Sequence, residues 1–299
     1  MKQVEERYIS LLTDFGFKRI FGTAMNKDLL ICFLNSLFNG RQVVKDVSYL
    51  NPEHVGDVYT DRKAIFDVYC EGENGEKFIV EMQNAYQAYF KDRSLFYSTF
   101  PIREQAPKGN DWDFKLNHVY TVALLNFNMN EDAFDKEKIR HHVQLCDTAT
   151  HKIFYDKLEF IYVEIAKFNK TLGELDTLYE KWLYALKNLY KLTQRPKELC
   201  DKVFDRLFEE AEIAKFTPQE MREYEASKMA YRDIKNSIDT AKQEGLAEGM
   251  EKGMKKGMEK GMAKEKIATA YRLLSMGLSE AQVATATELP LEEILKMKE

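Results

Sequence analysis

The chain has 299 residues, 31% charged and 12% aromatic, with 49 acidic against 44 basic side chains and a formal net charge of −5. Its 19 Phe, 16 Tyr and 2 Trp supply enough large apolar surface for a sizeable core, which excludes a chain disordered throughout. The slight acidic excess excludes a protein that coats nucleic acid or membrane by bulk charge, while leaving room for a local basic channel.

The four cysteines, Cys32, Cys70, Cys146 and Cys200, are too far apart for a zinc knuckle or a CxxC redox pair, and no disulfide framework is expected. The first residues are acidic where a secretory signal needs an apolar run, and no stretch of about 18 apolar residues occurs. The expected location is the cytoplasm, with no membrane association.

In chain order, residues 8–38 carry apolar side chains at helical spacing (Phe17, Ile20, Phe21, then Leu29, Leu30, Phe33, Leu34, Leu37), broken at Gly22 and at Asn39-Gly40. Two short helices are predicted there. Strands are predicted over 43–50, 64–70, 78–83 and 119–127, with a loop over 51–62, a helix over 89–105, and further edge strands over 152–155 and 160–165. This order of elements points to a mixed α/β sheet rather than a bundle or a sandwich. Beyond about residue 170 the pattern becomes helical. Leu175, Leu178, Tyr179, Trp182, Leu186 and Leu189 share one face, residues 197–214 behave similarly, and Thr217-Pro218-Gln219-Glu220 has the form of a helix start.

Glycines at 245, 249, 253, 257 and 261 alternate with methionines at 250, 254, 258 and 262. A four-residue period overshoots the helical 3.6, so the glycines spiral by about 40° per repeat, and each interior glycine costs about 0.5–1 kcal/mol relative to alanine. Two readings stay open: a self-association stalk in which methionines fill a close backbone contact, giving a homo-oligomer, or a solvated helical linker. Three short helices are expected after the repeat, resembling a helix-turn-helix, but acidic residues outnumber basic ones there, which argues against DNA reading by this tail.

The segment richest in chemistry runs from Ala64 to Gln83. Two apolar strands joined through Asn74-Gly75 form a hairpin whose register decides what faces what. A two-residue turn sets Asp67 opposite Met82 and separates it from Glu81. A three-residue Glu73-Asn74-Gly75 loop sets Asp67 opposite Glu81 and puts Asp67, Glu81 and Gln83 on one face; this register is favoured. Two carboxylates in apolar strands need compensation. A divalent cation such as Mg²⁺ would supply it, as would pairing with Lys18 or Arg93, or solvent at a sheet edge.

The opening Thr13-Asp14-Phe15-Gly16-Phe17-Lys18-Arg19-Ile20-Phe21-Gly22, the Phe66-Asp67-Val68 and Val80-Glu81-Met82-Gln83 strands and the glycine-repeat tail together resemble the Rpn-type recombination-promoting nuclease and transposase family, within the PD-(D/E)XK nuclease superfamily. The resemblance covers about residues 6–170 and, more loosely, the tail. It implies a restriction-endonuclease-like mixed sheet core flanked by helices with an all-helical C-terminal extension. The segments would be a nuclease-like domain over 1–170, a helical extension over 171–240, the repeat over 241–266 and a three-helix tail over 267–299.

The resemblance further implies hydrolysis of DNA phosphodiester bonds with Mg²⁺, or Mn²⁺ in its place. Asp67 and Glu81 match the metal-binding acids, and the Met82 carbonyl would be a third ligand. Gln83 stands where the superfamily usually has lysine, as is common in this family, and would orient the attacking water. Asp14 matches an acidic position of the first helix, equally explained as an ordinary helix-start acid. A catalytically weak DNA-binding or self-assembling protein that retains the fold is the alternative. Arg93 could contact phosphate, although a local ion pair on an exposed helix is the preferred reading, and His141, His142 and His151 are expected at the surface.

Overall fold

A computed structural model describes residues 6–54, 64–106, 113–129 and 134–297. Helix α1 (Asp14–Phe21) starts where the Thr13 hydroxyl accepts the Gly16 N–H at 3.1 Å, the expected action of an N-cap threonine. A Cβ on Gly16 would stand 2.1 Å from the Ser10 carbonyl oxygen, so the close crossing of the preceding segment over α1 requires glycine. Helix α2 (Lys27–Phe38) ends at Asn39, whose left-handed backbone terminates the helix. Both helices bury the apolar faces that their spacing predicts.

The sheet strands are β1 (Val47–Tyr49), β4 (Val68–Gly72), β5 (Lys77–Gln83), β6 (Val119–Leu125), β7 (Arg140–Cys146) and β8 (Ile153–Glu164), and β2 (Glu53–His54) pairs separately with β3 (Ala64–Ile65). Six strands lie in the order β1-β4-β5-β6-β8-β7, with β5, β6 and β8 parallel and the outer pairs antiparallel. Every residue of β6 is buried, as expected of a central parallel strand covered on both faces. Helix α3 (Phe90–Glu104) makes the crossover from β5 to β6 and covers one face, where Phe90 packs with Val119, Ala123, Leu125 and Tyr162. On the other face Val68, Phe78, Val80, Val122 and Ile161 pack against α1, α2, α4 (Leu178–Asn188) and α5 (Lys202–Glu210). Trp182 of α4 is fully buried there, with Phe21, Phe33 and Phe204 ring centroids 5.0–5.9 Å away.

Two compact units are distinguished, one reaching Lys235 and one from Asn236 onward. The helical extension up to Lys235 therefore shares the core of the sheet. Helix α6 (Pro218–Ser275) spans 58 residues and starts with a capping box, Thr217 N–H to Glu220 at 2.8 Å and Glu220 N–H to the Thr217 hydroxyl at 3.2 Å. In the second unit Ala270, Val283 and Ile294 bring the end of α6 together with α7 (Glu280–Thr287) and α8 (Leu291–Lys296). No helix among the described residues is long and apolar enough to cross a membrane.

Several sequence expectations need correction. The strand expected at an edge over 160–165 is not at an edge: residues 160–164 belong to β8, which lies between β6 and β7, and Ile165 begins a single 3₁₀ turn. The edge is β7, whose mixed polar sequence Arg140-His141-His142-Val143-Gln144 conceals a strand of which little faces the core. The strand expected over 64–70 is interrupted at Phe66 and Asp67, where the chain leaves the β2–β3 pair to enter β4. The loop expected over 51–62 includes the strand residues Glu53–His54, and its portion from residue 55 lies outside the described residues. The first of the three expected tail helices is the end of α6, because helix runs unbroken through the glycine repeat.

Candidate active site

The β4–β5 hairpin turns through Glu73, Asn74 and Gly75. Gly75 has φ +82°, its N–H donates to the Gly72 carbonyl at 3.1 Å, and the Gly72 N–H donates to the Glu76 carbonyl at 2.8 Å. This is the three-residue loop with a left-handed glycine. Glu76 braces it: its carboxylate accepts the Asn74 backbone N–H at 3.0 Å, the Asn74 amide at 2.9 Å and the Gln42 amide at 3.1 Å. Burial pushes the Glu76 carboxyl up, and these hydrogen bonds outweigh burial to leave it below its ordinary value. The ladder then pairs Glu71 with Lys77, Cys70 with Phe78, Tyr69 with Ile79 and Val68 with Val80. One further step in that register sets Asp67 opposite Glu81.

The two acids meet at the carboxyl end of β5, the end at which open α/β sheets generally place their sites. Asp67 Oδ2 accepts the Met82 backbone N–H at 2.8 Å. Glu81 is 7% exposed, and its Oε1 has no hydrogen-bond partner among the described residues. Burial and then the neighbouring Asp67 charge push the Glu81 carboxyl up to about 8, against the opposing pull of Arg93, Gln83 and Lys18. The Asp67 carboxyl is likewise raised, chiefly by burial, with the Met82 N–H and Lys18 opposing. A carboxylate pair held this way is costly to ionise without a cation.

The neighbouring polar groups form a relay. Arg93, one turn into α3, donates to Gln83 Oε1 at 2.5 Å and to Gln87 Oε1 at 2.5 Å, and Gln83 Nε2 donates to Glu81 Oε2 at 2.9 Å. Arg93 is therefore held by two amide oxygens rather than by the local ion pair expected. Gln83 uses its carbonyl oxygen on Arg93 and one N–H on Glu81, so in this arrangement it orients the glutamate directly. Lys18 of α1 lies 3.8 Å from Asp67 Oδ1 and 2.7 Å from Asp14 Oδ1. Asp14, exposed in the first turn of α1, thus reaches Asp67 only through Lys18. The strand end itself is fixed by Asn84 and Asn126: Asn84 donates to the Leu12 carbonyl at 2.7 Å, the Asn126 N–H donates to the Gln83 carbonyl at 2.8 Å, and the Asn126 amide reaches Asn84 at 3.3 Å and the Tyr231 hydroxyl at 3.2 Å. Sequence reading missed these asparagines, and the only signal was a polar residue directly after each apolar strand.

Of the three histidines expected at the surface, one is buried and one half-buried. His141 is buried on β7, 3.1 Å from Glu164 Oε1 and stacked on Phe134 with ring centroids 4.2 Å apart. His142, on the opposite face, lies 2.9 Å from the buried Glu159. Each hydrogen-bonds a buried acid of β8, and only His151 is exposed as expected. Among the described residues no three His, Cys, Asp or Glu side chains gather as a ready-made metal cage.

The family model described as PD-(D/E)XK nuclease family transposase matches residues 11–241, which takes in both strands of the hairpin, α1 and α3. The chain belongs to the PD-(D/E)XK nuclease family transposases. No curated protein and no solved structure matches it. Membership in a PD-(D/E)XK nuclease family implies a divalent cation, and the residues present suit one. Asp67 Oδ1 and the unpartnered Glu81 Oε1 are hard oxygen donors, and Mg²⁺ is commonly held by one or two carboxylates, the remaining positions going to water and substrate phosphate.

Proposed function

We propose that this family member is an Mg²⁺-dependent DNA endonuclease, with Mn²⁺ able to replace Mg²⁺, that cuts phosphodiester bonds in recombination or transposition within the cytoplasm. The observation that carries the proposal is the buried, unpartnered Glu81 oxygen beside Asp67. Asp67, Glu81 and the Met82 carbonyl would hold the cation. When bound, Mg²⁺ lowers the pKa of a coordinated water and offsets charge on the phosphate.

The chain's own residues do the rest. Gln83 holds Glu81 in one orientation, and Arg93, fixed through Gln83 and Gln87, has further N–H groups with which to contact a phosphate. Lys18 places a second positive charge beside Asp67, and Asp14 holds Lys18 there. Arg93 and Lys18 would supply the cationic field that lysine at position 83 would otherwise give to the developing phosphate charge. The oligomer expected through the repeat belongs to the same proposal, supported by exposed Met250, Met254, Met258 and Met262 alongside glycines with open space at the Cβ position.

The second reading, a DNA-binding protein of weak activity, draws on one observation: Gln83 is already engaged at both ends of its amide and has little left with which to position water. Purified protein incubated with supercoiled plasmid and Mg²⁺, alongside Asp67→Ala, tests the choice. Metal-dependent nicking by the wild type and none by the variant supports the nuclease; DNA binding without nicking supports the second reading.

A further inference from the structure

We propose that the outward face of α3 holds a stacking site for an unpaired nucleobase of the bound DNA, so that the protein favours single-stranded or frayed DNA over intact duplex. This inference rests on the reading of the chain as a DNA-cutting enzyme.

An open cavity of about 490 Å³ is lined by Gln87, Tyr89, Asp92, Arg93, Phe96 and Tyr97, among others. That volume lies within the range that takes a small organic group. Residues 93, 96 and 97 recur at helical spacing and so share one face of α3, and Tyr89 is its N-cap residue. Tyr89 is 77% exposed and Phe96 43%, and Tyr89 stacks on no ring among the described residues. The inner rings are fixed: Tyr97 packs edge-on against Phe66 at 5.3 Å and Phe96 against Phe100 at 5.2 Å. The groove thus has a rigid aromatic floor and an open aromatic wall.

Its chemistry selects the occupant. Arg93 lines the cavity with its guanidinium 5.6 Å from the Phe90 ring centroid and 5.7 Å from that of Tyr97. It is anchored on two amide oxygens, not on an acid, and keeps its positive charge for an incoming anion. Aromatic faces beside a fixed cation suit a nucleotide, whose base stacks while its phosphate meets the guanidinium. A purely apolar peptide would leave that cation desolvated and unpaired. Asp92, on the rim, repels phosphate from its own side and so directs the backbone toward Arg93. Because Arg93 also holds Gln83, the stacked base would lie beside the strand presented to Glu81. A paired base within duplex is already stacked on its neighbours and offers no free face, and this is the origin of the preference.

The test uses the full chain in EDTA, so that no cleavage occurs, with fluorescein-labelled single-stranded DNA, its blunt duplex, and the duplex with an unpaired end, read by anisotropy. Wild type is expected to bind the single-stranded and frayed forms more tightly than the blunt duplex. Tyr89→Ala and Phe96→Ala should each weaken those two by about 5- to 100-fold, the usual worth of one base–aromatic stack, with blunt-duplex binding changed by less than about twofold. Tyr89→Trp should retain the preference, and unchanged thermal melting of each variant excludes misfolding. Unaltered single-strand binding in both alanine variants overturns the stacking site, as does equal loss on all three DNAs. If the selective loss is seen but the wild type never nicks plasmid in Mg²⁺, the groove stands and the nuclease reading falls. A wild type that binds none of the DNAs overturns both.

Discussion

Replacing Glu81 by glutamine removes a carboxyl that the fold keeps from ionising while preserving an oxygen that can accept from the Gln83 amide. In the metal-free protein the Glu81 carboxyl is pushed up to about 8 from an ordinary 4.5. Between those values the unfolded chain has released this proton and the folded chain still holds it. The folded state then binds more protons than the unfolded state, so stability must fall as pH rises. Glu81 stabilises the metal-free fold fully below about pH 4.5, and this contribution is lost as pH climbs through about 8. At about 1.4 kcal/mol per pH unit the whole interval amounts to a ceiling of about 5 kcal/mol, which relaxation and water entry at the site reduce.

For a unit of this size, about 1 kcal/mol moves the melting temperature by roughly 2–4 °C. Glu81→Gln should therefore melt with the wild type near pH 5 and several degrees above it near pH 8, both measured in EDTA by differential scanning fluorimetry. Added Mg²⁺ should narrow the gap at pH 8 by stabilising the wild type alone, with release of a proton. Parallel curves for the two proteins from pH 5 to 8 would show that Glu81 is not held protonated by its surroundings, and the argument for a cation at this carboxylate would collapse.

Asp67→Asn should abolish Mg²⁺-dependent nicking while the protein still binds DNA; cleavage at the wild-type rate would remove Asp67 from the site. Gln83→Ala should slow cleavage by roughly 10²-fold through loss of the fixed Glu81 orientation, whereas Gln83→Lys should retain activity because it adds a cation beside Glu81, and a single-turnover rate assay separates the two. Gly253→Ala and Gly257→Ala, where an added Cβ meets nothing within 4 Å, should each favour helix by about 0.5–1 kcal/mol, seen as a gain of helical circular dichroism on heating. A self-associating repeat should also respond to Met254→Glu with Met258→Glu by sedimenting at lower mass than the wild type.

The parts of the fold legible in the sequence are those where local pattern and tertiary demand agree. Phe17, Ile20 and Phe21 bury the face of α1 that their spacing predicts, and Gly75 adopts the positive φ that the three-residue hairpin needs. Strand β7 escaped notice because an edge strand buries little, and its two histidines sit there to satisfy Glu159 and Glu164, which are distant in sequence. The unbroken α6 also conflicts with propensity, since five glycines in tandem weaken a helix locally. It is anchored at its start by the Thr217 capping box and at its end by the small core around Ala270.

The site divides along the same line. The pairing of Asp67 with Glu81 follows from counting residues around one turn and was available without a structure. What supplies positive charge in place of a lysine at position 83 was not, because Lys18 comes from α1 and Arg93 from α3, and only the parallel crossover from β5 to β6 carries α3 back across the end of β5. A lysine on the strand would project its ammonium straight toward the acids. Glutamine instead transmits the field of an arginine by one hydrogen bond on each side of its amide. That route keeps the cation off the strand, consistent with a Glu81 carboxyl that remains raised despite Arg93. Gln83 and the aromatic groove on α3 are therefore linked through Arg93, which donates to the Gln83 amide and lines the groove.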